Sequence, residues 1–439
     1  MTDSQDQISD YRWVVMGVWL TASVSGFMIM STLGILLPAI SEDMDLSPTQ
    51  QGLLGSAAFW GNLTLAIPLS WWTSRYGPKI LTTVTLLLGT GFLFMQGWAP
   101  VFAILLFGRV AFGITIIARQ PARAFLMQQW FPQREVLLVN SISNAMFGLV
   151  VGGGLAAAPF ILSALGDDWR TTLNLFGGLF AVLSILWVAF GRERVTTDFR
   201  RLVESQDTSV LKGTLRHRDL WIGGLGFVGA TTAWSAFLSF FPTMMLNDHY
   251  VSLRWSGSIL ALGIFVGGIS GLGFGWAVTV TNKGNPILVG LGALMAASFT
   301  AMTLTGSIPI LIVLTFLNGI AWGFWPILYS VPFHLPGIRP RELAIGIAFI
   351  MMMSSIGTTL GPLLTGLLQE ATGDLRLSLL LVSIGPLSVS GAGMFLKATS
   401  PPKRESVTAV AAQTSDNQPS PILVSERKPG YLCRKDRAA

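Results

Sequence analysis

Three arginines, Arg109, Arg119 and Arg123, punctuate an otherwise apolar stretch running from Val101 to Pro132. On a helix, offsets of ten and fourteen residues from Arg109 place all three within an arc of about 80°, spread over about 21 Å of axis. One face of that helix is therefore cationic. Insertion scales charge about 2.5 to 3.5 kcal/mol for each arginine at a bilayer centre, so three of them rival the net stability of a typical fold. Such residues must face protein, water or a ligand. Arg119 and Arg123, nearer one end, can snorkel to an interface, and Arg109 can pair with carbonyl groups inside a bundle. The sharper reading is an anion site, because guanidinium grips carboxylate or phosphate through two parallel hydrogen bonds.

The acidic residues favour that reading. All 22 lie in loops, tails or the ends of apolar runs, with Asp248 and Glu342 nearest to a span interior, and His217, His249 and His334 are also terminal. Exporters of cationic compounds that run on protons need a buried carboxylate, as proton carrier and as counter-charge. Buried positive charge without buried negative charge instead calls for a small-molecule anion, organic carboxylate or inorganic.

The elements that position these arginines are set by composition. Of 439 residues 51% are hydrophobic and 11% charged, and the mean hydropathy is +0.60, values far outside the soluble range. An all-α integral membrane protein follows, and the basic pI of about 9.7 reflects loops held on one side of a membrane and touching anionic lipid, not nucleic acid. Apolar runs of spanning length fall at 13–40, 51–73, 80–98, 101–129, 136–162, 172–190, 221–246, 255–279, 287–304, 310–332, 343–369 and 377–396, which predicts twelve transmembrane helices. The run at 13–40 is too long for a cleavable leader. With the N-terminus inside, 22 of the 28 lysines and arginines fall in cytoplasmic loops and tails, and only Arg170, Arg254 and Arg376 fall outside. Both termini are then cytoplasmic.

The basic stretch from Gly191 to Leu220 divides the spans six and six. The division gives a segment 1–12, a first half 13–190, a linker 191–220, a second half 221–396 and a disordered tail 397–439. The two halves echo each other. Ala158-Pro159 leads to Gly166-Asp-Asp-Trp-Arg170, and Gly361-Pro362 leads to Gly373-Asp-Leu-Arg376. Two pseudo-symmetric six-helix halves form a midplane site that each side of the membrane can reach in turn.

With these features the chain resembles the major facilitator superfamily of secondary transporters over residues 13 to 396. Ser70-Trp-Trp-Thr-Ser-Arg-Tyr-Gly-Pro-Lys79 is similar to the loop motif between the family's spans two and three, keeping Arg75, Gly77 and Lys79 but replacing a glycine and an aspartate with Ser70 and Ser74. Arg109-x-x-x-Gly113, Pro121 and Trp130-Phe-Pro132 resemble its fourth-span motif, as in the family's organic-anion importers, where Ile116 stands in place of a common acidic residue. The resemblance implies a functional monomer in an inner or plasma membrane, without cofactor or metal. It also implies a cavity lined by spans 1, 4, 7 and 10, plus 2, 5, 8 and 11, with Asn62, Asn144, Trp234, Asn318 and Trp322 near mid-span. Each of these also serves helix packing, where a polar pair contributes about 0.6 kcal/mol. Arg109 and Arg119 are the first binding candidates, and Arg123 a gate.

No phosphate loop, His-Glu-x-x-His pattern or cysteine cluster occurs, and the single Cys433 lies in the polar tail, so an enzyme is not expected. Proton coupling and exchange for a counter-anion both remain open. An exporter of neutral or cationic compounds and a non-transporting sensor of the same fold are the alternatives, which turnover and ligand charge discriminate.

Overall fold

The computed structural model describes residues 10–61, 76–131, 135–193, 215–281, 283–335 and 340–397. Its described residues form helices without any strand, the expected outcome where lipid offers the backbone no hydrogen-bond partners. In chain order the helices are α1 (Tyr11–Ser31), α2 (Leu33–Met44), α3 (Pro48–Ala57), α4 (Pro78–Gly97), α5 (Phe102–Trp130), α6 (Val136–Ala164), α7 (Trp169–Phe190), α8 (Arg218–Asp248), α9 (Leu253–Thr281), α10 (Gly284–Leu304), α11 (Ile308–Ala321), α12 (Phe324–Tyr329), α13 (Pro340–Thr372), α14 (Leu375–Ser383) and α15 (Leu387–Phe395). Eleven stretches among them are long and apolar enough to cross a membrane. The protein is a multi-pass membrane protein.

Eleven differs from the expected twelve for a local reason. The run at 51–73 is described only to residue 61, where α3 supplies its start, and the remainder lies outside the described residues. The linker beyond Glu193 and the tail beyond Lys397 lie outside them too. The first run also differs from expectation. It is two helices meeting at Thr32, whose hydroxyl bonds back to the Ile29 carbonyl, and Pro38 sits inside α2 without ending it. The tenth and twelfth runs are likewise paired segments, α11 with α12 and α14 with α15, interrupted at Trp322-Gly323 and at Ile384-Gly-Pro386.

Capping explains where helices begin. Ser47 and Gln50 form a reciprocal capping box at α3. Asp168 accepts the Arg170 N–H at 2.9 Å to open α7, and Asp374 accepts the Arg376 and Leu377 N–H groups at 2.8 and 3.2 Å to open α14. Each turn also carries a glycine at φ +73°, Gly166 and Gly373, and each arginine reaches a carbonyl at the end of another helix: Arg170 to Ala99 and Arg376 to Leu304. A second stitch recurs between α4 and α7, where Thr90 meets Ser184 at 3.2 Å, and between α10 and α14, where Thr300 meets Ser383 at 2.8 Å.

Helices from residues 11–190 pack on helices from 218–396 through α6 on α9, α3 on α13 and α2 on α8. Glycines make these approaches close. An added Cβ at Gly34 would lie 2.0 Å from the Leu238 carbonyl oxygen, at Gly52 2.6 Å from that of Pro362, and at Gly257 2.5 Å from that of Leu155. These contacts gather at the end of the bundle remote from Tyr11 and Phe395.

Candidate functional site

Arg109 and Arg119 are both buried, each 1% exposed. Arg109 donates from Nη2 to the Met30 carbonyl at 2.6 Å, which fastens α5 to the last turn of α1. Its Nε and Nη1 atoms are buried and have no hydrogen-bond partner among the described residues. Arg119 lies nearly three turns further along α5, with its guanidinium carbon 5.6 Å from the centre of the Phe180 ring of α7. Its Nη1 and Nη2 atoms also lack a hydrogen-bond partner among the described residues. Phe180 is itself held by Phe112, edge to face at 5.6 Å.

Gly26 brings the two arginines onto one turn of α1. A Cβ there would sit 3.3 Å from Nη2 of Arg119 and 3.2 Å from the Ile116 side chain, so the glycine gives the guanidinium a close approach to the α1 backbone. Gly26 and Met30 are four residues apart and share a face of α1. The ion pairs among the described residues lie elsewhere: Arg12 with Glu135 at 3.3 Å and Arg170 with Asp43, both at helix ends.

Arg123, half-buried, lies within electrostatic reach of Tyr329 at the end of α12. The predicted tryptophans are brought together. Trp234 of α8 meets Trp322 edge to face at 5.6 Å, and Trp322 continues to Phe324 at 5.6 Å and Trp325 at 5.9 Å. Phe227 closes the cluster against Trp325 at 4.8 Å. Asn318 is not part of this group. Its amide donates to the Ser298 hydroxyl at 2.9 Å and ties α11 to α10. Asn62 and Arg75 lie outside the described residues, as does the side chain of Asn144.

The remaining motif residues have packing partners. A Cβ at Gly113 would fall 2.0 Å from the Ala58 carbonyl oxygen, so this glycine sets how closely α5 meets the chain after α3. Gly77 precedes α4, and the Glu193 carboxylate lies against it, 2.2 Å from where its Cβ would be. A carboxylate thus stands at the start of α4, where the helix dipole favours it, although the motif's own aspartate is replaced by Ser74. The Lys79 carbonyl accepts the Trp187 indole N–H at 3.3 Å.

Sequence reading missed Gly26, Phe180, Glu193 and the Met30 carbonyl. A backbone carbonyl leaves no sequence signal, and Gly26 and Phe180 become relevant only once α1 and α7 are docked on α5.

The Major Facilitator Superfamily model matches residues 18–339, well over half of the chain. The chain belongs to that family. Among its relatives, the probable galactarate/D-glucarate transporter GarP of Escherichia coli (strain K12) is 23% identical over 427 residues, covering 86% of this chain and 92% of GarP. The hexuronate transporter of Bacillus subtilis (strain 168) is 21% identical over 379 residues, covering 80% of this chain and 86% of that one. The crystal structure of the nucleoside transporter NupG superposes with a TM-score of 0.69 at 12% identity, covering 88% of this chain and 99% of that one, which speaks for the fold alone. These relatives are transporters of the Major Facilitator Superfamily and not enzymes.

Proposed function

We propose that this facilitator-superfamily protein moves a small organic acid anion across an inner or plasma membrane by alternating access. The observation that carries the reading is the buried pair Arg109 and Arg119, whose four nitrogen atoms without a hydrogen-bond partner among the described residues face no intramembrane carboxylate in the whole sequence. Buried unpaired charge costs several kcal/mol after relaxation, about 3–5 for a broken pair, and a bound carboxylate supplies the missing partner. Both sequence relatives are named for carboxylate substrates, which supports an organic acid.

The working unit is a monomer of two six-helix halves, 13–190 and 221–396, joined by the basic linker 191–220, with both termini cytoplasmic. The repeated Asp-Arg turns and the two Thr–Ser stitches support this pseudo-symmetry. Glycine contacts at the end remote from the termini support a conformation closed there. Arg109 and Arg119 bind, Trp234 and Trp322 line the second half, and Arg123 with Tyr329 forms a gate. Transport is coupled to protons or to a counter-anion.

Thermal stabilisation of the purified protein across organic acids, inorganic anions, neutral sugars and lipophilic cations tests the anion reading, since a ligand of the folded state raises apparent stability by mass action. Organic acids are expected to raise Tm in the wild type and not in Arg109→Gln. A rise confined to cations or neutral compounds refutes the anion reading and supports an exporter of such compounds.

A further inference from the structure

From the placement of the two arginines we infer that the site is matched to a dianion, a short dicarboxylate whose two ends are taken by Arg109 and Arg119; this rests on the anion-transport reading. Their Cα atoms are ten residues apart on α5, about 15 Å along its axis. Their guanidinium groups nevertheless reach a single turn of α1: Arg109 bonds the Met30 carbonyl, and Arg119 stands against Gly26. Gly26 and Met30 are about 6 Å apart along that helix. An extended six-carbon diacid separates its carboxylate carbons by about 6 Å, five bonds of about 1.5 Å at tetrahedral angles.

The free donors are divided between the two ends. Nη1 and Nη2 remain on Arg119 as an end-on fork for one carboxylate, and Nε and Nη1, on different sides of the guanidinium, remain on Arg109 as two single donors to the other. Ile116, packed beside Gly26, is an apolar spacer that offers the ligand neither a proton nor a negative charge. A monocarboxylate leaves one buried guanidinium unmatched. A dicarboxylate neutralises both.

The test compares galactarate, galactonate and galactitol, six-carbon polyols bearing two, one and no carboxylates, by titration calorimetry on the purified wild-type protein, with inorganic phosphate as a compact dianion. Galactarate is expected to bind at least about tenfold more tightly than galactonate, beyond the twofold statistical advantage of having two ends. In Arg119→Gln, checked for folding by its thermal transition, the ratio of galactarate to galactonate affinity falls to about twofold or less, whatever the absolute affinities become. Equal binding of galactarate and galactonate by the wild type overturns the dianion inference but leaves anion transport standing, and needs no variant. A tenfold preference that survives in folded Arg119→Gln also overturns it. Phosphate binding more tightly than galactarate replaces the dicarboxylate by a compact dianion. Galactitol binding as tightly as galactonate defeats the anion reading itself.

Discussion

Arg109 donates to the Met30 carbonyl at 2.6 Å, one residue before α1 ends at Ser31. A helix-end carbonyl is among the few backbone acceptors a membrane span can offer a buried cation, and using it leaves the other guanidinium nitrogen atoms for a ligand. Removing the guanidinium takes away charge-assisted hydrogen bonds of about 1.5–3 kcal/mol each. Organic-acid uptake by proteoliposomes containing Arg109→Gln is therefore expected to fall by about tenfold or more in kcat/KM. Arg109→Lys is expected to rescue little of it, because one ammonium cannot hold the carbonyl and grip a carboxylate in bidentate fashion. Unchanged uptake in Arg109→Gln at normal expression rules out Arg109 as a binding residue.

Gly113 and Gly91 offer a matched pair of substitutions. A Cβ at Gly113 meets the Ala58 carbonyl oxygen at 2.0 Å, and backbone cannot swing aside as a side chain can. At Gly91 nothing lies within 4 Å. Gly113→Ala is expected to destabilise by about 1–3 kcal/mol or more, whereas Gly91→Ala leaves stability unchanged or raises it by up to about 1 kcal/mol through helix propensity. Thermal unfolding in detergent distinguishes them, and equal midpoints would show that α5 does not need this approach.

Asp168 titrates outside the spans. The Thr171 hydroxyl and the backbone N–H groups of Arg170 and Thr171, with the Arg170 charge, hold its carboxyl below the usual carboxylate range, against a small opposing effect of burial. A carboxylate whose folded pKa is depressed stabilises the protein above its unfolded pKa, about 3.9, and that contribution is lost as pH falls through the folded value. The Tm difference between wild type and Asp168→Asn is thus expected to be constant from about pH 7 to 5 and to close below about pH 4. A gap that widens on acidification contradicts this sign.

How far the sequence could be read follows from the range over which each feature acts. Hydropathy and length located the membrane runs, and the Asp-x-Arg turns at 168–170 and 374–376 announced the repeat, because these are local properties. Breaks at Thr32 and Trp322-Gly323 carried no such signal, since Pro38 and Pro326 lie inside helices beside them. Arg109 was legible from the cost of a cation in lipid. Its acceptor was not, because a carbonyl is common to every residue. Asn318 illustrates the opposite error: a mid-span amide looks like a ligand group until Ser298 on the next helix is seen to use it.

Gly52 and Gly55 line the seam between α3 and α13. Cβ atoms there would stand 2.6 Å from the Pro362 carbonyl oxygen and 2.8 Å from the Pro362 side chain, while the Thr49 N–H donates to Glu370 at 3.1 Å beside them. In the proposed alternating-access cycle this seam parts and closes again. Gly52→Val is expected to block closure, lowering uptake by about an order of magnitude. Ligand-induced stabilisation is expected to persist, because the atoms nearest Gly52 belong to Pro362 and Gly366 and not to Arg109 or Arg119. Equal loss of binding and uptake would place Gly52 in a folding role instead.

Coupling follows from the charges the spans lack. Proton symport with an anion needs a group that gains a proton as the anion binds, and every aspartate, glutamate and histidine of the sequence lies in a loop, a tail or the end of a span. On the proposed anion-transport reading, the unloaded protein holds two buried guanidinium groups whose charge is uncompensated among the described residues, and exchange predicts that its empty return is the costly step, which a second anion relieves. Organic acid loaded inside proteoliposomes is accordingly expected to accelerate uptake of labelled acid several-fold. An inwardly directed proton gradient across vesicles without internal anion is expected to drive no accumulation. Accumulation under the proton gradient alone would assign proton transfer to the anion itself or to water held at the arginines, and would reject exchange as the working cycle.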